Sequence, residues 1–174
     1  EIYQQHSEND SDLTVSMLTI KKAEASQFGV LSMDEDLKIK QFIEKPEDIS
    51  SIPGTSDECH INMGIYIFKT KSLVRMLAQD ARSLSSHDFG KNIIPDMLDK
   101  YKVHGFVFKN SRFGHYWKDV GTIKSYFDSN MEFLNQLGGK TICTPDWPVS
   151  TVGLQLPPTY YGGKEGVFLN NSSV

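Results

Sequence analysis

The sequence predicts an α/β fold built on a mixed sheet with an inserted β-hairpin. Two observations carry this. Apolar runs of strand length alternate with segments of helical periodicity. Two of those runs are separated only by the acidic turn Asp34-Glu35-Asp36, which is hairpin spacing. The order of strands in the sheet is not encoded at this level, and no internal repeat is present.

Leu13 to Ile20 is a mostly apolar run that reads as a buried strand. Phe28 to Met33 and Leu37 to Ile43 read as the arms of the hairpin. In the second arm Leu37, Ile39 and Ile43 share one parity while Lys38 and Lys40 take the other, so the first set is expected to face the core. A long polar connection follows Pro46, and Ile61 to Phe68 is the next strand. Thr70 is placed to cap a helix with a buried stripe of Leu73, Val74 and Leu77. Ser85 or Ser86 is placed to cap a second helical stretch carrying Phe89, Ile93, Ile94, Met97 and Leu98, which Pro95 should kink or restart. Val103 to Phe108 and the shorter Tyr116 to Val120 read as strands. The clearest helix comes last: Thr122 as N-cap, a stripe of Ile123, Phe127, Met131 and Leu134, and Gly138-Gly139 as the stop. Prolines and glycines then replace the periodic pattern, so residues 140–174 are expected to form an irregular arm after a unit of residues 1–139.

Bulk properties narrow the function. A chain of 174 residues, 39% apolar and 23% charged, can bury a core and has the composition of an ordinary soluble domain. A net charge of −4 without a basic cluster argues against a nucleic-acid partner. No window approaches the roughly 20 apolar residues of a membrane helix. Cys59 and Cys143 lack CxxC or Cys/His spacing and are expected to be reduced thiols of a cytoplasmic protein. The histidines are scattered, which disfavours zinc. Glu1-Ile2-Tyr3 has neither an initiator Met nor signal-peptide character, so Glu1 is expected to be an internal boundary of a longer chain.

Polar signatures sit at the ends of the apolar runs. In Asp119-Val120-Gly121-Thr122 a carboxylate leaves a strand end and a glycine turns the chain into a helix, a placement suited to a ligand or a hard cation. The same pattern also suits a plain turn. Glu44-Lys45-Pro46 closes the second hairpin arm. Pro46 should hold residue 45 extended. Glu44 can accept from hydroxyls and Lys45 can meet a phosphate, or the two can form an exposed charged pair. Trp117 and Tyr116 offer a platform for a pyranose ring or two core aromatics. Asp88 and Phe89 open a helix, where Asp88 also complements the dipole. Gly29 allows close backbone approach or marks a strand irregularity.

Together these blocks are more specific. Phe28-Gly29-Val30, Phe42-Ile43-Glu44-Lys45-Pro46, Met63-Gly64-Ile65-Tyr66-Ile67-Phe68, Ser86-His87-Asp88-Phe89-Gly90-Lys91, Tyr116-Trp117-Lys118-Asp119-Val120-Gly121-Thr122 and Asp146-Trp147-Pro148 resemble, in order, the ADP-glucose pyrophosphorylases (glucose-1-phosphate adenylyltransferases). The resemblance runs from about Leu13 to Pro158. It implies part of a Rossmann-like nucleotidyltransferase domain making ADP-glucose and pyrophosphate from ATP and glucose 1-phosphate, in glycogen or starch synthesis. It implies that Gly29, Glu44, Lys45, Asn62, Tyr66, Asp88, Phe89 and Trp117 bind glucose 1-phosphate, with Lys45 on its phosphate. Asp119 would be one of two aspartates on a catalytic Mg²⁺, so that Lys45 and Asp119 are the catalytic pair. At position 62 the family usually has Ser, and the larger Asn62 puts sugar selectivity in question.

The resemblance also implies what lies elsewhere. The ATP-binding glycine-rich loop and the second aspartate would precede Glu1, and a left-handed β-helix would follow the arm. No G-x-G-x-x-G or P-loop pattern occurs in the chain. A homo- or hetero-tetrameric, allosterically regulated parent is implied as well. Two other readings remain open on sequence: a non-catalytic regulatory subunit of the same fold, and a relative that uses another nucleoside triphosphate.

Overall fold

Five strands form one mixed sheet in the computed structural model, which describes residues 1–53, 57–108 and 116–134. They are β1 (Leu13–Lys21), β2 (Gly29–Met33), β3 (Ile39–Glu44), β4 (Glu58–Phe68) and β5 (Val103–Val107), in the spatial order β3-β2-β4-β1-β5. β1 is antiparallel to β4, from Leu13 opposite Phe68 to Lys21 opposite Glu58, and parallel to β5. Its first six residues are all buried, which is why the run is apolar without alternation. The β2–β3 hairpin joins β4 antiparallel through Val30 opposite Ile61 and Leu31 opposite His60. Its turn is held by Asp34 Oδ1, which accepts from the Lys38 and Asp36 N–H groups at 2.9 and 3.1 Å.

The core lies on both faces of the sheet. Leu13, Val15, Met17, Leu31, Ile39 and Phe42 pack with Met76, Ile93, Ile94 and Met97 from the helical segments. Leu18, Val30, Cys59, Ile61 and Met63 pack separately with Ala25 and Ile52. Truncating one such aliphatic side chain to Ala typically costs about 2–5 kcal/mol.

Several expectations are corrected. In β3 the buried residues are Ile39 and Phe42, not Ile39 and Ile43, because the ladder shifts between Ser32 and Met33 and reverses the parity. Helix α2 (Thr70–Asp80) begins at Thr70 itself, with Lys69 in the cap position and no capping side chain. It buries Ser72 and Met76, while Val74 and Leu77 are 59% and 42% exposed, so the helix is rotated from the expected stripe. Asp88, not Ser85 or Ser86, caps the next segment, a π-helical turn (Phe89–Ile93) running into α3 (Ile94–Leu98). Pro95 sits in the first turn of α3, where its missing N–H costs nothing. Residues 116–121 are not a strand.

Helix α4 (Ile123–Leu134) does start at Thr122, whose Oγ1 accepts the Ser125 N–H at 3.0 Å. The first two residues of its expected apolar stripe are not buried: Ile123 is 90% and Phe127 57% exposed. Gly138-Gly139 and the arm 140–174 lie outside the described residues, as does Cys143. Helix α1 (Ile2–Glu8) was not expected. It carries no apolar stripe and is anchored by buried His6, whose Nδ1 lies 2.8 Å from Thr14 Oγ1. Among the described residues no helix is long and apolar enough to cross a membrane.

Candidate active site

An irregularity in the sheet shapes this site. Between Val15 opposite Tyr66 and Met17 opposite Asn62, β4 carries more residues than β1, and Gly64 takes φ +73° in the resulting bulge. Asn62 stabilises it from within: its Oδ1 accepts the Gly64 N–H at 3.0 Å and its Nδ2 donates to Tyr66 Oη at 2.7 Å. Bulges re-aim side chains, and this one joins Asn62 to Tyr66 across the distortion.

Tyr66 stacks on Phe89, with centroids 6.0 Å apart and planes 15° from parallel, and Phe68 packs obliquely against both rings. Burial pushes the Tyr66 phenol above its ordinary range, the Asn62 hydrogen bond partly opposes this, and the Glu44 and Asp88 carboxylates add to the rise. Both carboxylates therefore lie within electrostatic reach of the phenol.

Glu44 ends β3 directly opposite Gly29, the first residue of β2. One oxygen of its carboxylate, Oε2, lies so close to both Gly29 and Gly90 that a Cβ on either would crowd it. Asp88 is extended at the start of the π-helical turn, and its Oδ1 accepts the Gly90 and Lys91 N–H groups at 2.8 and 2.9 Å. These bonds satisfy two donors that the turn leaves open.

Lys45 is not extended. It has φ +48°, in the left-handed region, where a non-glycine residue costs on the order of 1–3 kcal/mol. Its N–H donates to the Phe28 carbonyl at 3.1 Å, and Pro46 behind it is buried, so the chain turns sharply while the Lys45 side chain stays exposed. The Phe28 ring meets Trp117 edge to face, 5.7 Å between centroids. Phe28 thus links the Lys45 backbone to the segment that carries Asp119. The far side of that segment is tied to α4, since Lys118 pairs with Glu132 and Tyr116 Oη lies 3.4 Å from it.

Of the residues expected from sequence, Gly29, Glu44, Asn62, Tyr66, Asp88 and Phe89 form one cluster at the ends of β2, β3 and the π-helical turn and along β4. Lys45 and Trp117 adjoin it through Phe28. Asp119 is exposed and touches none of them by hydrogen bond or ion pair. Gly90 and Phe68 belong to the cluster and were not singled out. The glycine in the Asp88-Phe89-Gly90 block was the available signal. Among the described residues no group of three or more His, Cys, Asp or Glu forms a metal cage. Asp119 contributes a single exposed carboxylate, and this donor suits Mg²⁺, which takes one or two protein carboxylates and completes its shell with water and phosphate oxygens. A separate cleft of about 560 Å³, lined by Thr19, Leu31, Met33, Asp34, Glu58 and His60 among others, holds none of the expected residues.

Comparison with known proteins is in keeping with this geometry. The family model described as nucleotidyl transferase matches residues 1–136. The chain is 42% identical over 158 residues to glucose-1-phosphate adenylyltransferase 2 of Alkalilimnicola ehrlichii, covering 90% of this chain and 37% of that protein. It is 39% identical to the glucose-1-phosphate adenylyltransferases of Methylococcus capsulatus and Nitrosococcus oceani, covering 90% of this chain and 38% of each. The chain therefore spans well under half the length of these relatives.

Proposed function

This chain belongs to the nucleotidyl transferase family, and from that premise we propose that it is the sugar-phosphate-binding part of a glucose-1-phosphate adenylyltransferase. Residues 1–139 form part of the catalytic domain in this reading. The observation that carries the reading is the meeting of the end of β3 at Glu44, the start of β2 at Gly29, β4 at Asn62 and Tyr66, and the π-helical turn at Phe89 and Gly90, around one carboxylate and one aromatic wall. The relatives' names state glucose 1-phosphate and adenylyl transfer; following the resemblance, we read the substrates here as ATP and glucose 1-phosphate and the product as ADP-glucose.

Each residue then has a task. Glu44 accepts hydrogen bonds from sugar hydroxyls, and the Tyr66–Phe89 wall covers the apolar face of the ring. Gly29 brings backbone close to the sugar, and Asp88 orders the turn beside it. Lys45 is an exposed ammonium that makes no ion pair among the described residues, and it holds the phosphate of glucose 1-phosphate. That phosphate is already ionised at neutral pH, so its oxygen attacks the α-phosphorus of ATP without a general base, and pyrophosphate leaves. Asp119 would hold Mg²⁺, which supplies charge stabilisation on the phosphates when bound. Positioning provides most of the remaining acceleration. Following the resemblance, we place the enzyme in the cytoplasm, in glycogen or starch synthesis, as part of an allosteric tetramer.

The test is Lys45→Ala in the intact enzyme. The KM for glucose 1-phosphate should rise roughly tenfold or more while that for ATP stays within about twofold, the signature of a residue that binds one substrate. Equal losses for both substrates would remove the assignment.

A further inference from the structure

Two glycines wall in the Glu44 carboxylate. A Cβ added at Gly29 would stand 2.7 Å from Glu44 Oε2 and 2.7 Å from the Phe42 ring; at Gly90 it would stand 2.6 Å from the same oxygen and 3.1 Å from the carboxyl carbon. Neither glycine has a positive φ, in contrast to Gly64. Backbone conformation therefore does not call for glycine at 29 or 90; space does. The two come from different parts of the chain, one in β2 and one in the π-helical turn. Asp88 fixes the second wall by accepting the Gly90 N–H. No described residue makes a hydrogen bond or ion pair with Glu44 oxygens, so contact and not bonding places this carboxylate, and its lone pairs stay open to a ligand.

We propose that Gly90 is a positioning residue, whose absent side chain provides the space that holds the Glu44 carboxylate toward the sugar and so sets affinity for the hexose. This rests on the reading that Glu44 accepts from hydroxyls of a sugar 1-phosphate. The physical argument is one of relief. At Gly90 the crowded group is the end of a flexible side chain, so an added methyl swings Glu44 away and leaves the backbone in place. The cost then falls on ligand placement and not on folding, and a displacement near 1 Å can cost up to about a hundredfold. At Gly29 the Phe42 ring is also crowded, so a substitution there disturbs the core and is less informative.

The experiment compares G90A, E44A and the double variant in the intact enzyme. G90A should keep its Tm within about 2 °C of wild type. It should raise the KM for glucose 1-phosphate roughly tenfold or more, with the KM for ATP within about twofold. In the E44A background the same change should add less than about twofold, because the group that Gly90 positions is gone. A crystal structure of G90A should show the carboxylate displaced. A wild-type sugar KM in G90A, or the same G90A effect in both backgrounds, overturns the proposal. If the wild-type enzyme uses no sugar 1-phosphate, the proposed function fails independently. The crystal structure then decides the seat: a displaced carboxylate retains it and an unmoved one removes it.

Discussion

Asn62 uses both ends of its amide inside the protein, on Tyr66 Oη and the Gly64 N–H. It acts as a strut of the bulge, and this bears directly on its departure from the family's usual Ser. Asn62→Ser should lose the bond to Tyr66 and lower stability by about 1 kcal/mol, measured by urea denaturation. The KM for glucose 1-phosphate should change much less than in Lys45→Ala; an equal change would show that Asn62 contacts the sugar directly. The residues that cluster around Glu44 could be nominated from sequence because each belongs to a short motif block that takes part in the family resemblance. Their conformations could not be read that way. Lys45 was expected to be extended before Pro46, yet it turns left-handed, because the bond of its N–H to the Phe28 carbonyl and the burial of Pro46 outweigh the local preference.

Elements show the same division. The alternation of strands and helices was legible from periodicity, but helix rotation was not: a stripe of Leu73, Val74 and Leu77 is as apolar as the Met76 face that actually docks. Helix α1 escaped notice because a histidine anchors it in place of an apolar stripe. His6 is buried, and burial holds its imidazole below the ordinary value of 6.5; Lys69 acts in the same direction, and Asp12 and Asp10 oppose it. His104, beside Ser11, is lowered mainly by burial as well. The unfolded chain therefore binds these protons more readily. The stability from neutral histidines is complete above pH 6.5 and falls as pH drops below it toward the folded-state values. Tm should be lower at pH 5.5 than at pH 7.5, and His6→Asn should flatten that slope without abolishing it. An unchanged slope would remove His6 from the account.

At the scale of the whole molecule, Val120, Ile123, Tyr126 and Phe127 form an exposed apolar surface at and after the start of α4. The 174-residue chain studied alone should self-associate at micromolar concentration, seen by light scattering. A monomer with one sharp thermal transition would contradict this. The same chain should release no pyrophosphate from ATP and glucose 1-phosphate, since its sequence holds no phosphate-cradling glycine loop; sustained release would refute the reading that nucleotide binding lies elsewhere. By itself the sequence determined the α/β class and the hairpin, because composition and spacing are local properties, and its ordered motif blocks carried the family resemblance that nominates the residues proposed to meet a sugar phosphate. Only the tertiary structure decided the strand order, the bulge at Gly64, the rotation of α2 and the seating of Glu44 between two glycines. Those depend on which surfaces of distant segments fill the same space, and packing of that kind leaves no periodic trace along the chain.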